Sequence, residues 1–225
     1  MTMKIIKTLF RVFLFFSTIA LHAQEKQDEK IKRSTEVIKE FAGLEENIPA
    51  ILMRKAEGVV IIPTLINAGL AGVGGQRGRG LAMVKRADGT WSDPVFVSLT
   101  GGSVGFQFGL QATDLVLVFT KGSILTSLET GQFNFGGSAA VTAGPLGRSS
   151  SASTDTRFNA EVYSYSRSKG LFAGITINGS KLAVDARLNK AYYKNDAPAS
   201  EIFSRSPSIE DQEIIALRDA VTSLY

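Results

Sequence analysis

Between Gly58 and Gly179 the chain alternates apolar and polar residues, and glycine interrupts the alternation at short intervals; most of the 22 glycines fall in this stretch. Side chains that alternate with a period of two line the two faces of a β-strand. Glycine between such runs supplies tight turns and close backbone approaches. The pattern therefore predicts many short strands without long intervening helices. The runs are 59–62, ended by Pro63, then 81–86, 94–99, 103–110, 114–120, 133–142, 158–166, 171–177 and 181–185. Asp88-Gly89 and Asn178-Gly179 are two hairpin turns by composition. Asn178-Gly179-Ser180 also fits a glycosylation acceptor, but the turn reading is preferred. Nine or so strands of this kind make an antiparallel sheet that curls or closes.

Helices flank this region. Residues 25–46 are charged, with Ile31, Ser34, Val37, Ile38, Phe41 and Leu44 at three- and four-residue spacing, which predicts an amphipathic helix. Its mixed charge suits packing on a domain better than lying on an anionic bilayer. Pro49 stands where a second short helix over 50–56 starts. At the other end Ser208, with Asp211 three residues on, reads as a capping pair. Ile214, Leu217, Val221 and Leu224 then follow at helical spacing. A helical end with charged flanks argues against an integral outer-membrane barrel, whose strands run to the terminus.

Residues 1–23 read as a secretory signal: Lys4 and Lys7, an apolar stretch over 12–21, and a Leu21-His22-Ala23 cleavage site. That segment holds the single histidine, and the chain has no cysteine. A mature chain without imidazole or thiol cannot build Ser-His-Asp, Cys-His or His/Cys zinc sites. The fold must also rest on its apolar core rather than on disulfides. Of 25 basic and 21 acidic residues, Lys4, Lys7 and Arg11 lie in the leader. The mature chain is thus close to neutral, and a nucleic-acid partner is not implied. The charge is uneven: residues 145–194 hold eight basic and three acidic groups, 54–93 six and three, and 195–225 two and six. Such a bipolar surface suits an anionic partner on one face.

The run Gly72-Val73-Gly74-Gly75-Gln76-Arg77-Gly78-Arg79-Gly80 looks like a phosphate loop but matches neither Gly-x-Gly-x-x-Gly nor a P-loop. Its glycines better serve close approach or bends in a curved sheet. Arg77 and Arg79 remain candidates to hold a phosphate. Ser166-Arg167-Ser168-Lys169 matches Ser-x-x-Lys, but it lies between strands and its partner motifs fail. No calcium-loop spacing occurs among the acids. Trp91 follows a turn and reads as a buried anchor.

Several strings together resemble one family. They are Ala56-Glu57-Gly58-Val59-Val60-Ile61-Ile62-Pro63, the glycine run over 69–80, and Gly89-Thr90-Trp91-Ser92-Asp93-Pro94. With them go Gly102-Ser103-Val104-Gly105-Phe106-Gln107-Phe108-Gly109 and Ala143-Gly144-Pro145-Leu146-Gly147-Arg148. The last is Tyr163-Ser164-Tyr165-Ser166-Arg167-Ser168-Lys169-Gly170-Leu171-Phe172-Ala173-Gly174. The series, over roughly residues 35–195, resembles the SYLF lipid-binding domain family. The resemblance implies phospholipid binding without catalysis or cofactor, and phosphoinositides in eukaryotic relatives. It also implies a departure at Asn67, where relatives commonly carry lysine. An exported protein would meet a different anionic lipid and no actin.

The resulting expectation is an α+β protein: a curved or partly closed antiparallel β-sheet of many short strands with N-terminal helices and a C-terminal helix. Its segments are a signal peptide (1–23), a helical segment (24–57), a β-rich core (58–195) and an acidic tail with the C-terminal helix (196–225). The expected function is non-catalytic binding of anionic phospholipid or a membrane surface in the periplasm or cell envelope. Arg148, Arg167 and Lys169 are the first head-group candidates, with Arg77 and Arg79 second, because guanidinium and ammonium groups bind phosphate. Two alternatives stay open: an assembly module for an envelope protein partner, and a hydrolase using carboxylates or Ser166 and Lys169.

Overall fold

The computed structural model describes residues 27–44, 47–70, 73–104, 109–130, 132–137, 141–144, 158–168, 171–172, 177–205 and 211–225. Helix α1 (residues 27–42) and helix α2 (Ala50–Lys55) lead into a long first strand, β1 (Gly58–Leu70). Strands β2 (Val73–Val84), β3 (Val95–Val104) and β4 (Gly109–Phe119) follow, then the short helix α3 (Ser123–Thr126). Strands β5 (Phe133–Asn134), β6 (Val141–Ala143), β7 (Val162–Ser168), β8 (Leu171–Phe172) and β9 (Ser180–Val184) complete the sheet. Helices α4 (Ala186–Tyr193), α5 (Ala199–Ser204) and α6 (Gln212–Thr222) close the chain.

The nine strands form one curled sheet in the order β5-β9-β3-β2-β1-β4-β7-β6, with β8 paired to β7. Every pairing is antiparallel except β6 on β7, which is parallel. The α+β expectation holds. In the centre, Val59, Val60, Ile61 and Ile62 are all fully buried, so both faces of β1 are covered. Each such side chain contributes about 1.5–3 kcal/mol by leaving water.

One face carries α1. Ile31, Ser34, Val37, Ile38 and Phe41, the stripe expected from spacing, are fully buried. Alternation and register put Val59, Ile61, Leu81, Met83, Val116 and Val118 together on this helix-bearing face. The opposite face packs against α3: a Cβ built on Gly58 would meet Leu125 Cδ1 at 2.5 Å. The Phe119, Phe133 and Phe135 rings stack in sequence there, with centroids 6.5 and 5.0 Å apart.

Several elements depart from the sequence expectation. Strand β1 does not stop at Pro63 but continues to Leu70 through a bulge. Proline cannot donate to a ladder, and a bulge is where a central strand tolerates it. Thr64, at φ 62°, turns its N–H out of the ladder to donate to Asp114 Oδ1 at 3.1 Å. The glycine run is strand β2 rather than a loop. A Cβ on Gly80 would fall 1.9 Å from the Ile61 carbonyl oxygen, so the backbones approach too closely for any side chain. The stretch expected as one strand over 103–110 is divided between the end of β3 and the start of β4. The cap of α6 is Asp211, whose carboxylate accepts from Glu213 N at 2.8 Å; Ser208 lies outside the described residues. Both expected hairpin turns form, with Gly89 at φ 84° and Gly179 at φ 82°.

Candidate functional site

Of the five candidates read from sequence, Arg148 and Lys169 lie outside the described residues. The other three occupy the helix-bearing face but do not converge. Arg167, on β7, is only 11% exposed and pairs with Glu40 of α1 and, at 2.9 Å, with Asp114 of β4. Its guanidinium also lies over the Phe41 ring, 5.8 Å from the centroid. Arg33 adds a second cation 3.8 Å from Asp114 and bonds Glu36 at 3.0 Å, a hydrogen bond that raises the pKa of Arg33. This cluster clamps α1 across the sheet at the β1 bulge. Arg167 is thus committed to holding the fold, and a head-group contact would have to break its pairing.

Arg79, on β2, has its Nε 3.2 Å from Asp185, the residue that caps α4 by accepting from Leu188 N. Burial, with Arg79 nearby, pushes the Lys30 ammonium of α1 below the usual lysine range. Arg77 differs from both. It is exposed and has no ion pair or hydrogen bond among the described residues.

The register shows what stands beside Arg77. It pairs with Thr100 on β3, and Thr100 pairs with Lys181 on β9. All three are exposed on one face, and Lys181 too is unpaired among the described residues. Two strand spacings separate the cations by about 10 Å at the backbone. In the opposite direction the row continues through half-buried Ile66 and exposed Ala112. Two residues nearer the hairpin ends lies a parallel row of Gly102, Gly75, Ala68 and Leu110. All four are exposed, and Leu110 is 76% exposed. Residues 68–76 and 101–113 contain no charged side chain. One end of the sheet thus presents an uncharged, partly apolar strip bordered by two cations that are unpaired among the described residues.

Asn67 belongs to the other face. It is 4% exposed and pairs with buried Gln76, whose Nε2 donates to Ser180 Oγ at 2.6 Å. The departure at position 67 therefore leaves the exposed row untouched. Ser166 is also buried there, on a strand rather than at the start of a helix. Sequence reasoning missed Thr100 and Lys181, because only the pairing of β2, β3 and β9 brings them to Arg77.

A second cluster surrounds the Trp-Ser-Asp-Pro stretch. Trp91 is 1% exposed, as expected of an anchor, and Ser92 Oγ accepts from Val84 N at 3.0 Å. Asp93 is fully buried; Oδ1 receives Arg218 of α6, and Oδ2 lies 3.6 Å from Arg205 Nε. Burial pushes the Asp93 carboxyl above the usual aspartate range, while Arg218, Arg205 and Arg86 pull against it. The Arg205 guanidinium stacks 4.5 Å from the centroid of the Tyr193 ring, whose hydroxyl donates to Pro94 O.

Residues 100–224, more than half of the chain, match the family described as Ysc84, Las17-binding protein actin regulator. The chain is 33% identical over 188 residues to LAS seventeen-binding protein 3 of Saccharomyces cerevisiae. It is equally similar to Protein YSC84 of the same yeast. With the human SH3 domain-containing YSC84-like protein 1 it shares 31% identity over 208 residues. These alignments cover 82% and 91% of this chain but only 40% and 60% of the yeast and human proteins, respectively.

Proposed function

Because the chain belongs to the Ysc84 (SYLF) family, we propose that it is a binding domain for anionic phospholipid, docking the open end of its sheet on a membrane surface. The observation that carries this reading is the exposed row of Lys181, Thr100 and Arg77 beside Gly102, Gly75, Ala68 and Leu110. An uncharged strip tolerates the head-group boundary, and each basic group near an anionic surface contributes about 1 kcal/mol. Two such groups give roughly a thirtyfold preference for anionic over neutral lipid. Arg148 and Lys169 are further contributors in this reading, whereas Arg79 and Arg167 act by holding α4 and α1 in place. No reaction is assigned to the domain. With a signal peptide at residues 1–23, the surface in question is that of the cell envelope.

Co-sedimentation with phosphatidylglycerol vesicles and with pure phosphatidylcholine vesicles, at low and high salt, tests the proposal. Binding is expected only to the anionic vesicles and is weakened by salt. The double substitution Arg77→Ala with Lys181→Ala should reduce it by more than tenfold. Gly102→Glu, at a position where a Cβ would meet only Gly74 O at 4.0 Å, should do the same with the fold intact. Vesicle binding unchanged in both variants would refute the assignment. The family description names a protein ligand, Las17, which favours a protein partner on this row as the second reading. Absence of binding to either vesicle would select it.

A further inference from the structure

The cluster around Asp93 contains more positive charge than it uses. Arg86, Arg205 and Arg218 all act on this one buried carboxylate, and Arg86 acts also on exposed Asp88, so that among the described residues three guanidinium groups face two carboxylates. Burying charge without a partner is costly. Five guanidinium nitrogens, Nε and Nη2 of Arg86 and of Arg205 and Nε of Arg218, are buried without a hydrogen-bond acceptor among the described residues. Arg86 makes one such bond, from Nη1 to Thr90 Oγ1 at 3.2 Å. Arg86 also forms a wall of a cavity of about 520 Å³ between the β2–β3 hairpin and α5. Thr126, Ser200 and Ser204 bring hydroxyls to that cavity, and Phe203 an apolar wall. Asp88, the one acidic lining residue among those described, accepts from Thr90 N and Thr90 Oγ1 at 2.9 and 2.6 Å.

A tetrahedral oxyanion fits this arrangement. Guanidinium forks donate in pairs to phosphate oxygens, and serine and threonine hydroxyls complete such a shell. We propose that the Arg86 cavity binds a phosphate-class anion, with the Arg205 and Arg218 charges behind it supplying the field that holds the anion. The ligand is a phosphomonoester, carried either by a lipid head group or by a small soluble molecule. This site stands at the α5 side of the molecule and is independent of the exposed Arg77 and Lys181 row.

Inorganic phosphate is the first probe, added to the full chain at constant ionic strength against chloride, with thermal unfolding and calorimetry as readouts. A ligand that binds only the folded state raises the unfolding midpoint in a saturable way. Saturable stabilisation is expected, together with at least a tenfold weaker affinity in Arg86→Gln. Arg77→Ala with Lys181→Ala should leave phosphate binding intact, which separates this proposal from the membrane reading. Should Arg86→Gln fail to fold, Arg86→Lys keeps the charge and loses the fork, and a several-fold loss is expected. Vesicles containing phosphatidic acid, offered to the Arg77/Lys181 double variant, identify the source. Binding that Arg86→Gln abolishes assigns a lipid head group, and phosphate binding without vesicle binding assigns a soluble ligand. No saturable response to phosphate, or one unchanged by both Arg86 variants, would overturn the site.

Discussion

Asp93 shows how much one buried carboxylate can organise. It meets Arg218 from the last helix and Arg205 just beyond α5, so a residue in the β2–β3 connection fastens the C-terminal part of the chain. Asp93→Asn keeps the shape and removes the charge that offsets three arginines. Breaking a buried pair by removing one partner costs about 3–5 kcal/mol. Urea unfolding should register a loss of that size, with an unchanged slope. Trp91 and its neighbours stood out in the sequence, but the partners of Asp93 did not. The hydrogen bond from Arg218 spans 125 positions, and nothing local marks the two ends as a pair. Arg167 teaches the complementary lesson. Its residue type suggested a phosphate contact, while its place opposite Asp114 in the β4–β7 register makes it a clamp for α1.

Among the elements, the period-two runs and the two glycine turns were legible because strand geometry imposes them locally. The full length of β1 was not. Pro63 obeys the local rule that ends a strand, and the bulge that accommodates it depends on β2 and β4 lying on both sides. Helix α4 was also missed. It has eight residues, follows β9 after one intervening residue, and its Asp185 cap reads as the end of a strand until the Leu188 N–H is seen to bond it. The glycines of β2 and β3 divide into two kinds that sequence cannot tell apart. Gly80 has no space for a Cβ against the β1 backbone, whereas a Cβ on Gly102 finds only Gly74 O at 4.0 Å. Gly80→Ala should cost about 3 kcal/mol or more through forced strand separation. Gly102→Ala should be neutral or slightly stabilising. Thermal denaturation of the two variants side by side checks the distinction.

The whole molecule depends on a core without disulfides, and three tyrosines report on that core. Burial is the largest cause raising Tyr165, Tyr192 and Tyr193 above the ordinary tyrosine range, and the Asp211 hydrogen bond adds to it at Tyr192. A folded-state pKa above the unfolded value means that the unfolded chain loses its protons first. The stability these groups contribute is therefore complete below about pH 10 and declines above it, by up to about 1.4 kcal/mol per pH unit for each. Absorbance titration should show these three of the five tyrosines ionising only as circular dichroism reports unfolding. Independent ionisation of all five in a folded chain would contradict the packing. The exposed row belongs to this scale as well. Its cations come from β2 and β9, more than a hundred positions apart, so local charge counts located two basic regions but not the strip between them.

The bulge near Pro63 acts on β1 as a frameshift acts on a coding strand. Before it Val59 and Ile61 share a face with Leu81; after it Ile66 and Ala68 take up that face beside Arg77 and Gly75. The two halves of the strand are thus read in different phases, and a single extra residue maintains the offset. Straightening the bulge with Thr64 drawn into the ladder would restore one phase throughout. Asn67 would then turn outward and Ala68 inward, and the outer row would be rewritten without any change to the residues that compose it.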